Sequence, residues 1–75
     1  MNYQKYIERR PDVLVGKPVI KGTRISVELI VRKFAGGYSF ADLIKQYPHL
    51  SDEQIKAALE YAADVIAHED SLESA

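Results

Sequence analysis

The sequence predicts a mainly α domain of three helices, the last two in a helix-turn-helix arrangement, behind an N-terminal arm containing short strands or extended chain. Three observations carry this reading. From Ser26 onward apolar residues recur at spacings of three and four, the period of an amphipathic helix. Ser26, Ser39 and Ser51 each stand just ahead of such a run, as N-caps do. Before Ser26 the apolar residues are instead β-branched pairs cut by glycine and proline, which argues against helix and for short extended pieces. The chain divides into an arm over residues 1–25, a helical region over 26–67 and an acidic tail over 68–75 expected to be flexible, all within one domain.

In the arm, Val13 to Val15 and Val19-Ile20 are the candidate extended runs. Lys21-Gly22 forms a tight turn that returns the chain toward Arg24-Ile25, with Gly22 at positive φ. Helix one follows Ser26 with Val27, Ile30, Val31 and Phe34 on its apolar side, Glu28 and Arg32 paired at i,i+4, and Gly36-Gly37 as a left-handed stop. Ser39 opens helix two, where Asp42 closes a capping box and Pro48 ends the helix near Gln46 or Tyr47. Ser51 and Gln54 make a second capping box for helix three, whose stripe of Ile55, Ala58, Leu59, Ala62 and Ile66 runs to about Ala67.

With 75 residues the chain can hide only about 60–65% of its unfolded surface, so its own core is thin. It has no cysteine, which removes disulfides and thiolate metal sites and leaves a partner subunit as a natural source of further burial. No apolar run approaches the ~20 residues of a membrane span, and the first ten residues lack a secretory h-region, so a cytoplasmic protein without membrane contact is expected. Net charge is −1, yet residues 1–33 hold eight cations against three acids and the remainder two cations against eight acids. That asymmetry suits a polyanion or acidic partner at the first half, and equally a dipolar surface that is merely solvated.

The segment GKPVIKGTRIS, residues 16–26, concentrates the basic character. Stiffened by Pro18 and turned by Gly16 and Gly22, it can lay Lys17, Lys21, Thr23 and Arg24 along a phosphate backbone. An edge strand protected by lysines would read the same way. A P-loop does not fit, because five residues separate Gly16 from Gly22 and no Lys-Ser/Thr follows. In helix three, Gln54 and Lys56 are the side chains suited to base edges or phosphates, but Asp52 and Glu53 precede them and repel a polyanion. His49 and His68 have no ligand-spaced partners, and Glu60 with Asp64 reads as a solvated face; no metal, no cofactor and no catalytic set is expected. Tyr61 and Val65 form a second row on helix three that suits a dimer contact as well as a core.

The blocks GKPVIKGTRISV and GGYSFADLIKQYPHLSDEQIKAALEYA closely resemble the domain of unknown function 433 family, whose Gly-Lys-Pro-x-Ile-x-Gly-Thr-Arg signature is matched from Gly16 to Arg24. The resemblance spans about Tyr6 to Ile66. It implies a homeodomain-like helix-turn-helix fold, a homodimer, and an antitoxin that neutralises a PIN-like ribonuclease toxin and binds operator DNA to regulate its own operon. Antitoxins of this kind place an arginine or lysine near the toxin's acidic metal site; since nothing basic follows Lys56, that role falls to Arg9, Arg10 or Arg24. The alternatives are a stand-alone helix-turn-helix regulator and a protein-binding adaptor without DNA recognition.

Overall fold

A computed structural model describes residues 3–69. Two short strands, β1 (Ile7–Glu8) and β2 (Val19–Ile20), precede three helices, α1 (Val27–Ala35), α2 (Phe40–Gln46) and α3 (Asp52–Ala67). Single turns of 3-10 geometry occupy Tyr3–Lys5 and Leu14–Gly16. The expected architecture, three helices behind a β-containing arm, is the one observed.

The helices begin and end where their side chains dictate. Ser26 accepts from the Leu29 N–H, and both Ser39 with Asp42 and Ser51 with Gln54 form complete capping boxes. Each cap satisfies donors that the first helical turn leaves open, worth about 1 kcal/mol apiece. At the end of α1, Gly37 takes φ +99°, the Gly37 N–H donates to the Phe34 carbonyl and the Tyr38 N–H to the Lys33 carbonyl. This is a Schellman stop, and the Lys33 ammonium lies 4.7 Å from the Tyr38 ring across it.

The arm differs from its expected form in one respect. Val13 to Val15 is not a strand; β2 pairs antiparallel with Ile7–Glu8 instead, in the register Ile7 with Ile20 and Glu8 with Val19. On its other side β2 meets the chain entering α1: Val19 bridges to Ser26, and the Ile20 N–H donates to the Ile25 carbonyl at 2.9 Å. A two-residue strand gives no alternation to read, so β1 is invisible until its partner is known. The turn between Ile20 and Thr23 closes by the Thr23 N–H to Ile20 carbonyl bond, with Gly22 at φ +79°. That angle is the one a type II turn requires at its third residue.

Arm and helices share one core. Ile20 from β2, Ile30 from α1, Leu43 from α2 and Ile55 from α3 are all fully buried and belong to one cluster. Burying a side chain of this kind contributes about 1.5–3 kcal/mol. The expected apolar stripes are covered only in part: Val31 is 38% exposed and Ile66 61%. Val31 and Ile66 both line an open groove between α1 and α3. Of the tail, His68 caps α3, its Nδ1–H donating to the Asp64 carbonyl at 2.6 Å; residues 70–75, where most of the tail's expected flexibility falls, lie outside the described residues.

Candidate functional site

Two surfaces stand out, a basic turn on the arm and an apolar groove between α1 and α3. The turn is built on β2. The Gly22 N–H donates to Glu8 Oε2 at 2.9 Å, tying the turn to β1, and Arg10 Nε lies 3.4 Å from the same oxygen. Arg10 Nε is buried and has no hydrogen-bond partner among the described residues, so Glu8 compensates its charge without a well-aligned bond. Glu8 thus holds both the Gly22 amide of the turn and the Arg10 guanidinium. Lys21 and Arg24 are exposed, and among the described residues neither side chain has a partner.

The other sequence-nominated cations are engaged within the chain. Arg9 donates through Nε and Nη2 to the Tyr61 hydroxyl at 3.1 and 2.7 Å, its guanidinium 6.0 Å from the ring centre. Lys17 Nζ lies 3.0 Å from Glu28 Oε1, and Arg32 Nε 3.1 Å from Glu28 Oε2. The Lys17 hydrogen bond, then that of Arg32, holds the Glu28 carboxyl below the usual carboxylate range. Thr23 is also committed: its hydroxyl donates to the Ile20 carbonyl at 2.7 Å and accepts from the Ile25 N–H at 3.0 Å. It shapes the turn rather than facing outward.

On α3 the candidate readers are unfavourably placed. Gln54 Oε1 accepts from the Ser51 N–H at 2.8 Å, so bidentate recognition of a base would require giving up the cap. Lys56 is exposed but shares its face with Glu60. Tyr61 packs edge-on against Tyr3, ring centres 5.4 Å apart, and Tyr3 Oη donates to Asp64 at 2.6 Å. That bond, more than desolvation, pushes the Tyr3 phenol up from its ordinary value. The Tyr3, Arg9, Tyr61 and Asp64 clasp joins residues more than fifty positions apart, and no local window of sequence could have signalled it.

The groove has a volume of about 570 Å³ and is lined by Val31, Ala35, Ala62, Val65 and Ile66, with Lys17, Glu28 and Arg32 on its rim. Val65, nominated as a dimer contact, faces it at 43% exposure; Tyr61 reaches it only with the part of the ring that Tyr3 and Arg9 leave open. Among the described residues no three His, Cys, Asp or Glu side chains gather as a metal site would need, and no helix is long and apolar enough to cross a membrane.

One feature near this groove is strained. Leu14, Val15 and Gly16 all have positive φ, at 50°, 58° and 80°. For a β-branched residue such as Val15 this backbone costs about 1–2 kcal/mol, and its side chain is 95% exposed.

Residues 7–62 match the family model described as a protein of unknown function, DUF433. The chain belongs to that family. An uncharacterized protein, y4eO, of Sinorhizobium fredii (strain NBRC 101917 / NGR234) is 34% identical over 59 residues, a stretch covering 79% of this chain. This chain spans 27% of that relative's length. The crystal structure of a DUF433 member from Anabaena variabilis ATCC 29413 superposes with a TM-score of 0.80 at 29% identity, covering 96% of this chain and 71% of that one.

Proposed function

We propose that this family member is a non-catalytic binding protein of the antitoxin type, which holds a PIN-like ribonuclease toxin inactive and contacts operator DNA through its arm. The observation that carries the reading is the turn from Ile20 to Ile25. Lys21 and Arg24 stand on a backbone fixed by the Thr23, Gly22 and Glu8 bonds, with no counter-charge of their own. Uncompensated cations on a fixed backbone are what a polyanion or an acidic metal site attracts, since the backbone's share of the ordering cost has already been met in folding. Of the three arginines considered for the toxin, Arg9 is tied to Tyr61 and Arg10 to Glu8, which leaves Arg24 to approach the toxin's carboxylates.

A second reading, a protein-binding adaptor without DNA recognition, is favoured by one observation: Asp52 and Glu53 lead α3 while Gln54 is held in its cap. Capture of partners by the tagged chain from its native cells, with and without nuclease, separates the readings, a protein partner that is not a ribonuclease, recovered without DNA, favouring the adaptor. A small ribonuclease that persists after nuclease treatment, and regains activity when Arg24→Glu replaces the wild-type chain, supports the antitoxin reading. Recovery of DNA alone, with affinity that falls steeply as salt rises, makes the protein a stand-alone regulator and contradicts it.

A further inference from the structure

We propose that the apolar groove receives Val15 from a second copy of this chain, so that two protomers exchange valine knobs about a two-fold axis. Val15 sits at φ 58° and ψ 37°, a backbone that glycine adopts freely and a β-branched residue adopts only under strain. Its side chain is 95% exposed, so no contact among the described residues explains its presence. A strained and solvent-facing apolar side chain is accounted for by something it touches outside the described chain.

The groove lies next to this knob. Lys17 and Pro18, two and three residues beyond Val15, form part of its wall, and its floor includes Ala35 and Ala62, whose small side chains leave room for an inserted valine. A two-fold interface uses the same patch on both subunits, so knob and recess must share one face, and the closeness of Val15 in sequence to Lys17 and Pro18 of the groove wall is what argues for this. The rim is also self-complementary. Glu28 stands between Lys17 and Arg32, so a rotated copy can set acid against base. Exposed Val31, Val65 and Ile66 would be covered by the same contact, supplying burial that a small domain lacks on its own.

Sedimentation equilibrium over a concentration series tests this on the full chain. The wild type is expected to dimerise, and both Val15→Gly and Ile66→Asp to weaken the dimer by at least about tenfold. Val15→Gly is the decisive variant, because at a concentration where wild type and variant are both monomeric, relief of strain should leave its thermal midpoint unchanged or higher, which rules out misfolding as the cause. The chain has no cysteine of its own, so mixing Val15→Cys protein with Ile66→Cys protein under oxidation should yield a crosslinked pair. A wild type that stays monomeric overturns the proposal and gives the groove to a different chain. A dimer that neither substitution weakens overturns it too, placing the seam elsewhere. Neither result depends on a toxin or on DNA, so the antitoxin reading stands or falls separately.

Discussion

The helical region and the arm are held in different ways. Each helix is bounded by bonds that span three or four residues: Ser26 to Leu29, Ser39 to Asp42, Ser51 to Gln54. The arm has local turn bonds too, such as Thr23 to Ile20 and Ile25 to Thr23, but these shape its turns without placing it on the helices. It is placed by β1 against β2, by Gly22 on Glu8, and by Tyr3 and Arg9 reaching α3 across 61 and 52 positions. The difference teaches that the arm's conformation is a product of the completed core. The basic turn is fixed from within the arm by Thr23 and Glu8, and Ile20 and Ile25 anchor it to the shared core.

The sharpest way to break this comparison is to compare cavities made from each side of the core. Ile20→Ala in the arm is expected to cost as much as Ile55→Ala in α3, about 2–5 kcal/mol each by urea denaturation, because both side chains are fully buried in one cluster. A cost below about 1 kcal/mol for Ile20→Ala would make the arm a peripheral attachment. Next in size is a local cap. Ser51→Ala should lower stability by about 1 kcal/mol while leaving the arm's backbone amides as protected from hydrogen exchange, relative to the global stability, as before.

Val15→Gly should move the stability of the monomer the other way, raising it by about 1 kcal/mol when denaturation is followed at a concentration too low for dimers. The smallest effects are those of pH. Glu28 titrates below its ordinary value in the folded chain, so its contribution is present above the usual carboxylate range and is lost as pH falls through the depressed folded value. Tyr3 is shifted upward, so its contribution is complete below about pH 10 and is lost as pH rises through the folded value. Glu28→Gln should flatten only the acid side of the stability profile, and Tyr3→Phe only the alkaline side.

Much of the helical half was legible in the sequence because its determinants are local. Serine caps, the Gly36-Gly37 stop and Pro48 set the helix limits without reference to anything distant. The turn at Lys21-Gly22 was legible for the same reason. β1 was not, because Ile7 and Glu8 acquire meaning only opposite Ile20 and Val19. The site was half legible. Composition pointed to the basic arm, but which cations remain available depends on partners such as Tyr61, Glu8 and Glu28 that only the fold brings near. The exposure of Val31, Val65 and Ile66 was not legible, since a periodic stripe marks an apolar face without saying what packs on it.

The central claim is that recognition resides in the arm's turn and not in the helix that a helix-turn-helix would place in a groove. Titration of duplex DNA at two salt concentrations, with the wild type, with Lys21→Glu/Arg24→Glu and with Lys56→Glu, tests it most directly. The account predicts that the turn variant loses most of the affinity and lowers the salt slope by about 2, while Lys56→Glu has a minor effect. Binding that survives in the turn variant and is abolished by Lys56→Glu would contradict the account and return the reading role to α3.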